Sequence, residues 1–244
     1  MISPPSDRAV PAAIPADESA PLENWLRQRH SCRAFLPEPL PQALIERILA
    51  LAQRTASWCN SQPWEVTVLS GAARDRLRDA LLARAENEQA GPEGGSPDFP
   101  FPLAYRDQYL ARRRETGFQL YDAVGVARGD KAAYRRQSLR NYHLFDAPHV
   151  AVITCPEALG VYGAIDCGAY VSTFLLAACA NGVATIAQAA LAAFPDLLRE
   201  QLELAPDRKV VCAISFGLED TAHPANQYRT RRAALPENVR FLSD

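Results

Sequence analysis

Arg29-His30-Ser31-Cys32-Arg33 places two guanidinium groups, an imidazole and a hydroxyl within five residues. Planar guanidinium forks and neutral donors at this spacing suit a phosphate monoester or the polar edge of an anionic ring. The same residues would also serve as a solvated basic turn, since short basic clusters are common on surfaces. A second group, Ser57-Trp58-Cys59-Asn60-Ser61-Gln62-Pro63-Trp64, combines indole, amide and hydroxyl side chains, as loops that line ligand sites often do. It reads equally well as a turn whose tryptophans cap a core. Gln188-Ala189-Ala190 is a small-residue stretch that leaves room for a flat ring near the backbone, and a basic tail carries Arg229, Arg231, Arg232 and Arg240.

No pattern supplies a nucleophile of its own. GxSxG, Ser-x-x-Lys and a convincing Cys/His pair are missing, as is the GxGxxG fingerprint of a tightly held dinucleotide. The four histidines, at 30, 143, 149 and 223, have no helix-borne ligand spacing and give no support to a metal site. Cysteines 32, 59, 155, 167, 179 and 212 form no CxxC pair and read as reduced, buried thiols of a cytoplasmic protein. A net charge of −2 over 244 residues provides no general attraction to nucleic acid or anionic lipid, so an anion would be met by a local cluster. No apolar run reads as a membrane span, and residues 1–20 lack the pattern of a signal peptide.

Several elements position these groups. A helix led by Pro21 is predicted to end near Gln28, and a second, with Leu44, Ile45, Ile48, Leu49 and Ala52 on one face, to end near Arg54. The basic loop is therefore pinned between two helices. Strands are predicted at Glu65 to Leu69, His149 to Cys155, Val183 to Ile186 and Lys209 to Gly217. Ala72 to Glu88 reads as a charged surface helix, and Pro195 starts another. Ile165 to Asn181 is a helix apolar all round, which must be buried on most sides and suits the core of a dimer as readily as that of a monomer. Gly182 closes it with a left-handed cap. The stretch 89–136 reads as a long irregular, lid-like insertion whose Arg112-Arg113-Arg114 run is a solvated helix face. Residues 1–20 are expected to form a flexible extension and 21–244 a single domain.

The order of an Arg-His-Ser-x-Arg loop, a Ser-x-x-Asn-x-Gln-Pro-Trp loop before a strand, an apolar helix ending in Asn-Gly-Val and a late basic tail resembles the FMN-dependent nitroreductase family. The resemblance runs from about Pro21 to Leu242 and is weakest across 89–136. It implies an α+β fold with a mixed, mainly antiparallel central sheet surrounded by helices, built as an intertwined homodimer with FMN at the subunit interface. It also implies that Arg29 meets the flavin phosphate, His30 and Ser31 the phosphate and ribityl region, and Arg33 the N1/C2 edge of the ring. Ser57, Trp58 and Asn60 would face the flavin of the other subunit, Gln188 and Ala189 would lie beside N5, and Arg232 would reach the phosphate.

The sequence departs from the family pattern in three places. Thr230 stands where a lysine is common, so a second tail charge would come from Arg229 or Arg231. Gln188-Ala189 replaces a frequent Glu-Gly pair and removes a negative charge, and Trp58 is bulkier than usual and would narrow the pocket. The implied activity is ping-pong transfer of two electrons from NAD(P)H to an electron-poor small molecule such as a nitroaromatic or quinone. A dehydrogenase, oxidase or reductive dehalogenase on the same scaffold, or a non-catalytic flavin binder, would use the same grip.

Overall fold

A computed structural model of the protein describes residues 16–87 and 95–243. Residues 1–15 of the expected extension and 89–94 of the Gly/Pro-rich stretch lie outside the described residues. Helix α1 spans Ala16–Gln28 and runs through Pro21, starting five residues earlier than the sequence suggests. Proline there has no backbone N–H, so the helix runs through it with one intrahelical hydrogen bond fewer.

Helix α2 (Gln42–Ala52) buries Ile45, Ile48 and Ala52 at helical spacing. Strand β1 (Glu65–Ser70) leads directly into α3 (Gly71–Asn87), which turns Leu77, Leu81 and Ala85 inward. The stretch expected to be irregular is helical from Asp107, with α4 at Asp107–Ala123 and α5 at Lys131–Leu139. Its many arginines concealed this, because helix propensity survives in a segment with no apolar stripe. Strand β2 (His149–Pro156), helix α6 (Gly160–Ala180), strand β3 (Ala184–Gln188), helix α7 (Pro195–Leu202), strand β4 (Arg208–Gly217) and a single turn, α8 (Leu235–Asn238), follow.

The sheet order is β1-β2-β4-β3, with every neighbouring pair antiparallel. Among the described residues, a parallel bridge from Ser31 to Thr185 lies outside the four named strands and fastens the basic loop to β3. The two central strands are covered on both faces, and their side chains alternate between two cores. Ala151, Ile153, Ile214 and Phe216 face α2 and α6, where Tyr170 and Phe174 are buried. Val150, Val152 and Ala213 face α3 and α7, with Leu77, Leu81, Phe194 and Leu198.

Helix α6 begins five residues before its expected start and is not buried all round. Cys167, Tyr170, Phe174, Ala177 and Ala178 pack inward, while Val161, Tyr162 and Ile165 are 63%, 54% and 57% exposed. By length and composition Glu157–Ala180 is apolar enough to cross a membrane, contrary to the sequence expectation. Its inner face, however, packs in the core of an α+β protein. Gly182, at φ +73°, ends the helix as expected.

Candidate active site

The basic loop is a short extended segment fastened on both sides. Cys32 N–H donates to Thr185 O at 3.0 Å beside the Ser31 bridge to β3, and Leu36 N–H donates to Leu218 O at 2.9 Å. Extended backbone alternates its side chains. Cys32 and Ala34 are therefore buried, while Ser31 and Arg33 turn the other way and stay partly open. Burial pushes the Cys32 thiol up to about 12, so it packs as an inert apolar group.

Arg29, His30, Ser31 and Arg33 share one cleft of about 570 Å³ with Arg112 and Thr116 of α4 and with Tyr228, Arg229, Thr230, Arg231 and Arg232 of the tail. That volume suits a cofactor or drug-sized ligand. Among the described residues, Arg29, Arg33, Arg229 and Arg232 have no carboxylate partner there. Burial first, and the nearby charge of Arg232 second, lower the Arg29 pKa from its ordinary value. Two cations held this close without an anion form a site suited to phosphate. The phenol oxygen of Tyr228 is buried without a hydrogen-bond partner, and its ring lies 6.0 Å from the Arg33 guanidinium carbon. A large, cationic cleft with an unsatisfied polar group on its wall fits a phosphorylated, polar-edged ring such as FMN.

The tail candidates separate clearly. Thr230 accepts a hydrogen bond from Arg232 Nη1 at 2.9 Å, so it orients that guanidinium where a lysine would add charge. Arg231 is turned onto Glu115 of α4 at 2.8 Å, and this bond holds the Glu115 carboxyl below its ordinary range. Among the described residues Arg229 has no acidic partner and donates to Asn226 O at 2.7 Å, which makes it the better second charge. His30 has backbone O of Gln28 and the carboxylate of Glu219 at 3.0 Å from its two ring nitrogens, so its imidazole is engaged within the protein.

The other candidates lie elsewhere in the chain. Gln188 ends β3 three residues past the Thr185 bridge, roughly 10 Å along the strand. Its side chain is buried, donating to Asn141 O at 2.9 Å and accepting from Ser215 Oγ at 2.5 Å, so only its backbone can serve a ligand. Ala189 follows it, exposed. Ser57, Trp58 and Asn60 sit at the opposite end of α6. Trp58 N–H bonds Asp166, whereas Cys179, thirteen residues further on, bonds Trp25 O beside Arg29. At 1.5 Å rise per residue the two ends are about 20 Å apart. The Trp58 loop contains Cys59, which is exposed and not buried as the sequence reading had it.

Three contributors escape sequence reasoning. Arg112, read as part of a solvated run, turns into the cleft wall and pairs with Glu237 of α8 at 3.3 Å. Asn226 accepts from Arg33 N–H at 2.8 Å, and Asp166 supports the Trp58 loop. The Arg112 run was visible as charge, but its orientation depends on where α4 docks.

The chain matches the model described as the Nitroreductase family over residues 26–218. It is 34% identical over 233 residues to the nitroreductase NfnB of Mycolicibacterium smegmatis, covering 95% of this chain and 97% of that protein. The nitrobenzene nitroreductase of Ectopseudomonas oleovorans is 32% identical over 224 residues, covering 91% and 97%. Among solved structures, the FMN-dependent nitroreductase NfnB from Mycobacterium smegmatis in complex with NADPH has a TM-score of 0.87 at 34% identity, over 93% of this chain and 100% of that one. The FMN and NADPH-dependent nitroreductase NfnB from sphigopyxis sp. strain HMH has a TM-score of 0.85 at 31% identity, over 91% and 99%.

Proposed function

Since the chain belongs to the nitroreductase family, we propose that it is an FMN-dependent oxidoreductase that passes two electrons from NAD(P)H to a nitroaromatic or similarly electron-poor acceptor, such as a quinone. The observation that carries this reading is the cleft itself, in which Arg29, Arg33, Arg229 and Arg232 converge without carboxylate partners among the described residues. FMN, when bound, would supply the two-electron redox chemistry of a ping-pong exchange, and the chain's residues would hold and tune it.

Within that reading the chain's own groups have divided roles. Arg29 and Arg232, with Ser31, hold the phosphate, and Arg229 adds to the local field. Arg33 places a positive charge at the N1/C2 edge and stabilises the reduced ring. The backbone at Gln188 and Ala189 would meet the ring near N5, and His30 would border the ribityl side. Ser57, Trp58 and Asn60 come from a second copy of the chain, because in one chain they sit some 20 Å away along α6.

A homodimer also accounts for the open face of α6. Val161, Tyr162 and Ile165 join Trp58, itself 58% exposed, in an apolar surface that water would otherwise wet. Helix α4, tied to the tail by Arg112 to Glu237 and Arg231 to Glu115, serves as one wall of the acceptor pocket and as its lid. The free thiols suit a reducing cytoplasm.

The test is anaerobic reduction of the purified flavoprotein. NADPH or NADH should bleach the flavin, and a nitroarene should restore its colour. A colourless protein that takes up no added FMN, or a flavin that neither dinucleotide bleaches, would overturn the proposal.

A further inference from the structure

The loop that carries Ser57, Trp58 and Asn60 is held in an unfavourable backbone conformation. Cys59, Asn60 and Gln62 have φ of 52°, 54° and 47°, three non-glycine residues in the left-handed region within four positions. Such a cluster persists only where the surroundings enforce it. The turn is closed internally by Asn60 N–H to Ser57 O at 3.0 Å, Ser61 N–H to Trp58 O at 3.0 Å and Gln62 N–H to Ser57 Oγ at 2.9 Å. Among the described residues, the hydrogen bonds that leave segment 57–62 for the rest of the chain all end on Asp166.

Asp166 is the one charged residue in the 21 of α6. Both its carboxylate oxygens lie 3.2 Å from Trp58 N, and Oδ2 also accepts from Ser61 Oγ at 3.4 Å. One helical turn earlier, Tyr162 meets the Trp58 ring edge-on at 4.4 Å between centroids. A lone carboxylate on a helix otherwise made of small and apolar residues gains nothing from packing and costs desolvation when that face is covered. Among the described residues, its side-chain hydrogen bonds are all to the loop.

We propose that Asp166 is a positioning residue, which holds segment 57–62 in the conformation that presents Ser57, Trp58 and Asn60 to the flavin gripped by a second copy of the chain. This rests on the flavin-site reading above. Asp166 touches neither cofactor nor acceptor and acts through the loop, setting how the ring is seated.

The test uses the FMN-loaded protein and its reconstitution from apoprotein, reading FMN Kd and the visible-range circular dichroism of the bound ring. Asp166→Ala should weaken FMN binding at least tenfold and alter the flavin dichroism in the sense that Trp58→Ala does. Asp166→Asn, whose amide oxygen still accepts from Trp58 N–H, should recover most of both. In a double-mutant cycle, Asn60→Ala should lose most of its effect on Kd once Asp166 is Ala, because the loop is already released. Independent, multiplicative effects, or flavin dichroism and Kd unchanged in Asp166→Ala, would overturn the positioning role. If Asp166→Ala does not fold, the same cycle run with Asp166→Glu decides by the same criterion. Should Trp58→Ala and Asn60→Ala themselves leave the flavin unaffected, the site reading falls and this role falls with it. If they perturb it and Asp166→Ala does not, only the role of Asp166 is lost.

Discussion

Arg33 and Asn226, 193 positions apart, are joined by a 2.8 Å hydrogen bond from the Arg33 backbone N–H to Oδ1 of the asparagine. The same carboxamide donates to Ala34 O and Asp220 O, both at 2.9 Å, so one buried side chain ties the basic loop to the start of the tail. Asn226→Ala leaves the part-buried Arg33 N–H without its partner, while Ala34 O keeps the Asp220 N–H at 3.1 Å and Asp220 O the His223 N–H at 3.3 Å. The orphaned donor and the lost tie cost about 2–3 kcal/mol. Thermal melting should fall by roughly 5–10 °C for a chain of this size. Asn226→Asp keeps the acceptor but loses the donor and should fall between the two.

The Arg33 side chain should act on the flavin electronically. A positive charge at the N1/C2 edge stabilises the reduced ring, so Arg33→Ala should lower the midpoint potential. A loss of about 1.4 kcal/mol corresponds to roughly 30 mV for a two-electron couple. Spectroelectrochemical titration of the variant with FMN still bound checks this. An unchanged or raised potential removes Arg33 from that role.

Arg232 and Arg231 are adjacent in sequence but differ in use. Arg232→Ala should weaken FMN binding by roughly 10- to 100-fold, the value of a charge-assisted hydrogen bond. Arg231→Ala, which breaks the exposed contact with Glu115, should cost far less. Fluorescence titration of apoprotein with FMN separates the two. Equal losses would mean that Arg231 leaves Glu115 for the phosphate.

Stability should fall on the acid side because of a buried histidine. Nε2 of His149 accepts from Leu40 N–H at 2.8 Å, which leaves the proton on Nδ1, 2.5 Å from Ser70 Oγ. Burial, then the charge of Arg74, lower its pKa from the ordinary 6.5. The unfolded chain therefore binds this proton at a higher pH than the folded one. The contribution of this group is intact above about pH 6.5 and is lost as pH falls toward the lowered folded value. Melting curves between pH 8 and 5 should show the decline, and His149→Gln should flatten it.

The open face of α6 predicts the assembly. Ile165→Arg places a charge in the apolar patch of Val161, Tyr162 and Trp58 and should yield a monomer in sedimentation velocity, with loss of FMN. A dimer of normal flavin content would show that this face is not the interface.

The strands β2 and β4 and the helix after Pro195 were legible because continuous or periodic apolar runs have few alternatives. So was the basic loop, since its chemistry lies within five consecutive residues. Helix α4 was not, because its exposed, arginine-rich sequence lacks the stripe that marks a helix packed on a core. Membership of a family could be read from the order of a few short motifs, and with it which residue types would meet a flavin.

What the sequence by itself determined was the inventory: cationic forks at Arg29, Arg33 and the tail, the polar turn at Ser57 to Trp64, and an apolar helix between them. Only the tertiary structure decided which of these meet. Backbone pairing with β3 and the grip of Asn226 bring the loop and the tail into one cleft, while α6 separates the Trp58 turn from it. It also decided that Arg231 is spent on Glu115 while Arg232 is not, and that the lone charge of α6 faces the strained turn. Periodicity and composition are local properties, whereas the direction of an exposed arginine or the partner of one carboxylate depends on contacts more than a hundred residues away.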